Sequence, residues 1–355
     1  MKNPHCELIE FGWSDWFEQW VDSNPADAVA RVAAVDRGLL WLVDQAGHFR
    51  AKLAGSYTHS HRLSHEMPCV GDWVCLEKSR DGFGVVHALL KRRTLLRRKS
   101  AGNVIEYQMI AANVDHVVIV QSCHVDFNLK RLERYLVMVM DGGAEPCILL
   151  TKTDLVAPDV LAAQLAEIRS AGITAPMVAL SNVTGDGMDD LKRLLLPAKT
   201  YCFVGSSGVG KSTLINQLIG RELLETRAVS ETGEGRHTTV RRELIRLESG
   251  ALVIDNPGMR ELGILGAEGG IERSHSDFTA LASKCRFQNC SHTVEPGCAV
   301  LEAVNSGQIT RESYENCLKL IQESVFHQMS YAQKRQKNRD FGRFKKSAKN
   351  DLKDD

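Results

Sequence analysis

The stretch that decides the fold is GSSGVGKST at residues 205–213. It satisfies the pattern G-x-x-x-x-G-K-[ST], whose glycines let backbone N–H groups wrap around a phosphate. The strand-like segment TYCFVG precedes it and the helical segment KSTLINQLIG follows, which is the context that the pattern requires. A Gly/Ser turn that matched by chance would not explain both flanking elements. The sequence therefore predicts a phosphate-binding loop at a helix N-terminus, where the helix dipole favours an anion.

The residues of this loop have separate predicted roles. Lys211 would neutralise the β- and γ-phosphates, which makes it a catalytic candidate, and the Ser212 hydroxyl would ligate Mg²⁺. The predicted nucleotide contacts of the segment are Gly205, Ser206, Ser207, Gly208, Val209, Gly210, Lys211, Ser212 and Thr213.

A second metal motif, VIDNPG, ends a strand-like run downstream of the loop. Asp255 would hold Mg²⁺ through a water molecule, and the Gly258 N–H would sense the γ-phosphate. Alone the motif could be an ordinary turn, but its pairing with an upstream phosphate loop predicts a second switch. The segment between them, SETGEGRHTTV, is polar and contains glycine. There Thr238 or Thr239 could complete the Mg²⁺ shell, as the first switch does in GTPases.

The base is predicted from TKTD at residues 151–154, which ends a strand-like run. The Asp154 carboxylate can accept paired hydrogen bonds from guanine N1–H and the 2-amino group, which adenine does not offer, while the Lys152 stem packs along the ring. This motif usually begins with Asn, and Thr151 stands in that place. At a second strand end, ALSNVTGDG resembles the serine-containing loop that supports guanine O6, with Ser181 and Asn182 as contacts. Together the two motifs favour guanine over adenine.

The order of these motifs is unusual. In ordinary GTPases the phosphate loop comes first, then the two switches, the base reader and the serine loop. Here the last two precede the phosphate loop. Because domain termini often lie close together, moving them while keeping the packed sheet gives a circular permutation. The sequence predicts the same site built from a permuted chain.

The spacing of the apolar runs divides the chain into three parts. Five short runs between residues 28 and 95, separated by turn residues, predict a five-stranded OB-type β-barrel. From about residue 113, strands and helices alternate, which predicts an α/β fold with a parallel sheet and helices on both faces. A cysteine-containing loop, helices and a basic tail follow. The predicted domains are an OB barrel at 1–100, a GTPase domain at 101–265 and a zinc-binding helical domain at 266–355.

Four candidate metal ligands lie close together in CRFQNCSHTVEPGC: Cys285, Cys290, His292 and Cys298. Three thiolates and one imidazole suit tetrahedral Zn²⁺ with no open position, so the predicted site is structural. The alternative is three incidental thiols near a histidine.

Charge and hydropathy bear on partners and location. The chain has 44 Lys+Arg and 44 Asp+Glu, but KRRTLLRRK at 91–99 and residues 331–350 are strongly basic. One such run is usually solvated surface, and two favour an anionic polymer such as nucleic acid.

The N-terminus lacks the basic head and apolar core of a signal peptide, and no apolar run reaches about 20 residues. We expect a cytoplasmic protein with reduced cysteines and no membrane contact.

With these residues established, the chain resembles the ribosome small-subunit-dependent GTPases of the RsgA family over about residues 30–345. The resemblance implies an OB barrel, a permuted GTPase domain and a zinc-knuckle domain. It also implies GTP hydrolysis stimulated by the small ribosomal subunit and its rRNA, late in subunit maturation. The family usually has Thr where this chain has Asn256. The segments that carry the resemblance are IAANVDHVVIVQ, DFNLKRLERYLV, GAEPCILLTKTDL, GSSGVGKSTLIN, GRHTT, IDNPGMRELG and CRFQNCSHTVEPGCAV.

Two other functions are consistent with parts of the sequence. One is a GTP-gated RNA-binding adaptor with little hydrolysis of its own. The other is a metabolite kinase built on the same phosphate loop, against which the guanine reader argues.

Many GTPases place a glutamine after the second-switch glycine to orient water, and here that position is Met259. His237 is the nearest substitute, although it could be an ordinary loop histidine. We expect slow intrinsic hydrolysis and a monomer.

Overall fold

The computed structural model describes residues 5–21, 28–36, 38–61, 63–99, 107–220, 242–255 and 267–328. Within these ranges the chain divides into two compact units. The first contains the described residues up to Arg97 and from Gln108 to Asp255. The second contains residues 267–328 together with Arg98, Lys99 and Tyr107.

The first part of the chain forms the predicted closed barrel of five strands, in the order β1-β2-β3-β5-β4. β3 and β5 are parallel, and the remaining neighbours are antiparallel. Alternate residues such as Val32, Leu42 and Val86 point into the barrel core. The strands are β1 (Ala28–Asp36), β2 (Leu39–Asp44), β3 (Gly47–Leu53), β4 (Trp73–Lys78) and β5 (Gly84–Leu89).

Two helices accompany the barrel. α1 (Asp15–Val21) follows a 3₁₀ turn at Cys6–Phe11, and α2 (Gly55–Ser60) lies between β3 and β4. Phe17 of α1 and the nearby Trp13 pack against Trp73 of β4, with ring centroids 5.9 and 4.7 Å from it. The N-terminal segment thus buries an apolar surface of the barrel.

The next part of the chain forms a six-stranded sheet in the order β10-β9-β8-β11-β13-β12. All neighbours are parallel except β12, which is antiparallel to β13. The predicted parallel sheet is therefore confirmed, except that its last strand, β12, is antiparallel. The strands are β8 (His116–Ser122), β9 (Glu145–Thr151), β10 (Met177–Ala179), β11 (Thr200–Gly205), β12 (Leu244–Arg246) and β13 (Leu252–Asp255).

Helices cover both faces of this sheet, as predicted. Val117 and Ile119 of β8 pack with α3 and α4, whereas Val118 and Val120, on the opposite face, pack with α5 and α6. Because five of the strands are parallel, their carboxyl ends meet at one edge, where ligands bind in such sheets. The helices are α3 (Leu129–Asp141), α4 (Pro158–Ser170), α5 (Met188–Leu194) and α6 (Lys211–Ile219).

The barrel and the sheet share a buried seam. Arg31 of β1 is 1% exposed, and its guanidinium donates to the Thr200 hydroxyl at 2.9 Å and to the Asn113 carbonyl at 2.9 Å. It also donates to the Gly71 carbonyl at 3.2 Å and to the Phe11 carbonyl. Burial lowers the pKa of Arg31 to about 10. These bonds fix the barrel to the first residue of β11, the strand that leads to the phosphate loop.

The first basic run, KRRTLLRRK at 91–99, makes many of its contacts inside the protein. It enters β6 (Leu95–Lys99), which pairs with β7 (Tyr107–Ala112) in a two-stranded sheet that the sequence did not predict. Three of its six cations lie in ion pairs with buried or half-buried carboxylates, so this run is weaker support for a nucleic-acid surface than its charge indicates. The pairs are Arg92 with Asp72 (2.8 Å), Arg93 with Asp115 (2.5 Å) and Arg97 with Asp141 (3.2 Å).

The second unit is helical, as predicted. α8 and α9 flank the cysteine-containing loop, and Phe278, Val300 and Leu320 are buried among its helices. The basic segment 331–350 lies outside the described residues. Among those that are described, no helix has the length and apolar character needed to cross a membrane. The helices are α7 (Glu268–Ser274), α8 (Ser276–Ala282), α9 (Ala299–Asn305) and α10 (Arg311–Gln328).

Candidate nucleotide site and metal centre

The predicted phosphate loop connects β11 to α6 at the carboxyl edge of the sheet. Its glycines have backbone angles that disfavour other residues: φ is +82° at Gly208 and +95° at Gly210. A Cβ atom at Gly205 would lie 2.2 Å from the Val120 carbonyl oxygen of the neighbouring strand. The glycine spacing of the motif is therefore required by the geometry of this turn.

Lys211 lies buried at the start of α6 and closes the loop. Its ammonium donates to the carbonyls of Gly205 at 2.6 Å and Ser206 at 2.5 Å. Burial lowers the pKa of Lys211 to about 8, and the negative charges of Asp255 and Asp126 oppose this shift. A phosphate in the loop would add negative charge beside the buried ammonium and would favour its charged form.

Asp255 ends β13, beside β11 in the sheet, and is 2% exposed. Its register partner on β11 is Phe203, two residues before the phosphate loop begins. The sheet therefore carries the predicted Mg²⁺ carboxylate and the phosphate loop on adjacent parallel strands.

The predicted base reader begins where β9 ends. Thr151 is fully buried, and its hydroxyl lies 2.7 Å from the Val209 carbonyl and 3.2 Å from the Gln121 carbonyl. Lys152 has a left-handed backbone (φ +60°), which turns the chain into a 3₁₀ turn at Thr153–Leu155. This turn leaves Asp154 exposed.

The predicted serine loop follows β10 and touches both other loops. The Ser181 hydroxyl donates to the Asp154 carboxylate at 2.5 Å and accepts from the N–H groups of Val183 and Thr184, each at 3.1 Å. The Asn182 amide donates to the Gly210 carbonyl at 3.2 Å. Three motifs that are distant in sequence thus meet at one edge of the sheet.

One residue of this arrangement could not be predicted from the sequence. Gln217 of α6 donates to the Asn182 carbonyl at 2.8 Å and so ties the serine loop to the helix after the phosphate loop. A glutamine on a helix carries no signal for such a role, because it is an ordinary solvent-facing residue. Four predicted site residues lie outside the described residues: His237, Thr238, Thr239 and Gly258.

The four predicted metal ligands converge. The ligand atoms of Cys285, Cys290, His292 and Cys298 all lie within 4.8 Å of one another. The sulfurs of Cys285 and Cys298 are 3.8 Å apart, and the His292 Nδ1 is 3.5 Å from each. Tetrahedral zinc with Zn–S bonds of about 2.3 Å places two sulfurs about 3.8 Å apart. The group can hold a metal ion, and its spacing fits tetrahedral coordination.

The loop that carries His292 is held by its neighbours. The Glu295 carboxylate accepts from the N–H groups of Ser291 (2.8 Å), Thr293 (3.1 Å) and Val294 (3.1 Å). Hydrogen bonds from Ser291 lower the pKa of Glu295 to about 2. These contacts stabilise the left-handed backbone of His292, whose φ is +59°.

Known proteins are similar to this chain in sequence and in architecture. Residues 89–265 match the family model described as RsgA GTPase. The chain is 38% identical to small ribosomal subunit biogenesis GTPase RsgA 2 of Lactiplantibacillus plantarum, over 92% of each protein. It is 46% identical to the RsgA of Xanthomonas axonopodis pv. citri over 73% of this chain and 70% of the relative.

Solved structures agree with this similarity. The crystal structure of YjeQ from Thermotoga maritima has a TM-score of 0.61 and 28% identity, covering 84% of this chain and 98% of the neighbour. The structure of YloQ, described as a circularly permuted GTPase, has the same TM-score at 24% identity, which supports the fold alone; it covers 85% of this chain and 96% of its own. From its similarity to these proteins along most of its length, the chain belongs to the RsgA GTPase family, whose members hydrolyse GTP.

Proposed function

We propose that this GTPase acts in late maturation of the small ribosomal subunit, where it binds rRNA and hydrolyses GTP when the subunit stimulates it. The observation that carries the proposal is the meeting of the base reader, the serine loop and the phosphate loop at one sheet edge. The names of relatives such as the Lactiplantibacillus plantarum protein support the choice of subunit.

The site residues have the following proposed roles. Asp154, with Ser181, reads guanine, and Lys152 packs along the ring. The phosphate loop and Lys211 bind the phosphates of GTP or GDP. Mg²⁺, when bound with GTP, would be ligated by Ser212, with Asp255 acting through water and Thr238 or Thr239 completing the shell. Gly258 would contact the γ-phosphate, and His237 would position the attacking water.

The barrel offers a surface for RNA on β3. Its outward side chains are His48, Arg50 and Lys52, all exposed, and the strand contains no acidic residue. Arg50 lies over the ring of Trp41, 5.5 Å from its centroid, which adds an aromatic face for stacking. Since cations on such a face neutralise backbone phosphates, we assign rRNA docking to this strand and to the basic tail.

We propose that the four-residue metal group binds one structural Zn²⁺. Three cysteines and one histidine fill a tetrahedral shell, which leaves no position for a substrate. We further propose domain bounds of 1–100, 101–265 and 266–355, a monomeric state and a cytoplasmic location, where thiolates stay reduced and available to zinc.

The deciding experiment measures phosphate release from GTP with and without purified small ribosomal subunits, and with large subunits as the matched control. We expect small subunits alone to raise turnover. If the protein binds GTP and small subunits but its turnover stays at the intrinsic rate, it is a GTP-gated RNA-binding adaptor instead.

A further inference from the structure

The Val209–Gly210 and Gly210–Lys211 peptides of the phosphate loop are held by side chains from other segments of the chain. In a planar trans peptide, the carbonyl of one residue points opposite to the N–H of the next. The direction of the Val209 carbonyl therefore sets the direction of the Gly210 N–H, and the Gly210 carbonyl sets that of Lys211. A phosphate loop works only if its N–H groups face the anion, so these carbonyls must be held away from it.

Thr151 holds the first of these carbonyls. Its hydroxyl has one proton, and the Val209 oxygen at 2.7 Å is a nearer acceptor than the Gln121 oxygen at 3.2 Å. Thr151 and Val209 are 0% and 1% exposed, so water cannot replace the hydroxyl as a donor. Loss of this donor would leave a buried carbonyl without a side-chain partner, which is the costly case for a hydrogen bond.

Asn182 holds the second carbonyl. Its Nδ2 donates to the Gly210 oxygen at 3.2 Å, and that oxygen also accepts from the Leu214 N–H of α6 at 3.0 Å. Gln217 fixes the Asn182 backbone from the same helix. The two neighbouring carbonyls are therefore held by donors from two separate segments, the end of β9 and the loop after β10.

The same two segments of the chain carry the proposed base contacts. Asp154 lies three residues after Thr151, Ser181 precedes Asn182, and the Ser181–Asp154 hydrogen bond joins the loops. We propose that Thr151 and Asn182 are positioning residues that hold the Gly210 and Lys211 amides toward the phosphate and so couple guanine binding to the phosphate loop. This inference rests on the proposed guanine-nucleotide site.

The test uses Mg²⁺ and GDP with the full chain, and titration calorimetry measures the affinity. Thr151→Val keeps the side-chain shape but removes the donor, and we expect GDP affinity to fall about tenfold. Thr151→Ser, which keeps the hydroxyl, should stay within about twofold of wild type. The matched control is Thr94→Val, because Thr94 is another buried threonine whose hydroxyl donates to a carbonyl, that of Val114, at 2.6 Å. It should bind GDP as wild type does.

A second measurement separates positioning from a direct contact with the base. Hydrogen exchange of peptides spanning the phosphate loop, without nucleotide, should be faster in Thr151→Val and unchanged in Thr94→Val. A residue that only touched guanine would leave this exchange unaltered. If Thr151→Val does not fold, Asn182→Ala carries the same test, since Asn182 is only half-buried.

The outcomes are distinct. Wild-type GDP affinity together with unchanged loop exchange in Thr151→Val and Asn182→Ala would overturn the inference. Because both residues act on one loop, the loss in the double variant should be smaller than the product of the single losses, and full multiplicativity would contradict a shared action. If wild-type protein binds no guanine nucleotide at all, the proposed function fails, and this inference fails with it.

Discussion

The hydroxyl of Ser181 donates to the carboxylate of Asp154 at 2.5 Å, although the two residues are 27 positions apart in sequence. Asp154 is exposed, and this bond fixes the orientation of its carboxylate. Each carboxylate oxygen has two lone pairs, so the oxygen that Ser181 uses can accept another hydrogen bond. The Asp154 carboxylate therefore keeps two acceptors, which in the role that we propose for it would pair with the N1–H and 2-amino groups of guanine.

The first prediction is a change of base preference. Asp154→Asn should weaken GTP binding at least tenfold and increase binding of xanthosine triphosphate, since the new amide can donate to the xanthine 2-oxo group. Competition against a fluorescent guanine nucleotide measures both effects. Asp159→Asn, the same exchange at an exposed position on α4, should change neither. Unchanged GTP affinity in Asp154→Asn would remove Asp154 from the site.

The second prediction concerns zinc as a folding element. Metal analysis should find one Zn²⁺ per chain, and Cys290→Ser or chelation should increase protease cleavage in the C-terminal unit, because metal binding and folding are coupled there. The sheet around β11, which packs against an apolar cluster on each face, should stay resistant.

Cys6→Ser is the control for this variant, because Cys6 is exposed and lies outside the four-residue group. It should retain the metal and the wild-type cleavage pattern. A metal-free preparation whose C-terminal unit resists protease as well as the wild type would contradict a structural role for zinc.

Much of the fold could be predicted because its signals are local. The five barrel strands and the alternating strands and helices of the sheet are each bounded by turn residues in the sequence itself. The phosphate loop was equally predictable, since its glycines are required by positive φ angles and by the close approach of the Val120 carbonyl. The family resemblance, drawn from the same segments, is confirmed by relatives that cover most of the chain.

The features that the sequence did not reveal depend on distant partners. The run KRRTLLRRK indicated a nucleic-acid surface, yet Arg92 is paired with Asp72, twenty residues upstream. Thr151 stands where this motif usually has asparagine. Its hydroxyl nevertheless reaches Val209, 58 residues away. Neither pairing has a local pattern, because each is set by the packing of separate elements.

The third prediction separates structural cations from RNA-binding ones. The Asp72 side chain is fully buried, and Arg92 pairs with both of its oxygens at 2.8 Å. Arg92→Ala leaves that carboxylate without its cation and should lower the free energy of unfolding by about 3 kcal/mol. Arg50→Ala, on the outward face of β3, should change it by less than about 0.5 kcal/mol.

Urea unfolding measures the stabilities, and co-sedimentation with small subunits at increasing salt measures docking. Arg50→Ala should dissociate at lower salt than the wild type. Equal stability of the two arginine variants would show that the Arg92–Asp72 pair contributes little.

The fourth prediction concerns the pH dependence of stability at Asp115. Burial alone would raise the pKa of this carboxyl, but the Thr200 N–H at 2.8 Å and the cations of Arg93 and Lys199 outweigh burial and lower it. A carboxyl with a lowered pKa in the folded state contributes stability above its ordinary pKa of 3.8. That contribution is lost as the pH falls through the folded-state value.

Asp115→Asn should therefore lower the free energy of unfolding at pH 7 by about 2 kcal/mol, with the difference from wild type narrowing below about pH 4. Urea unfolding at a series of pH values measures this difference. Asp189→Asn, at a side chain that is 91% exposed, provides the baseline. A difference that is constant from pH 7 to pH 2.5 would show that the charge of Asp115 is not responsible.

The last prediction concerns the proposed stimulation of hydrolysis by a partner. Met259 follows Gly258, our proposed second-switch glycine, and a thioether is a poor hydrogen-bond partner for water. Intrinsic turnover should therefore be slow, and small subunits should raise it by about two orders of magnitude or more, within the range of supplied GTPase groups. His237 precedes the proposed switch threonines and is our candidate for the water-positioning group. His237→Ala should keep nucleotide affinity and lose most of the stimulation, whereas His59→Ala, at an exposed position on α2, should keep both. If His237→Ala is stimulated as strongly as the wild type, RNA or a ribosomal protein must orient the water instead.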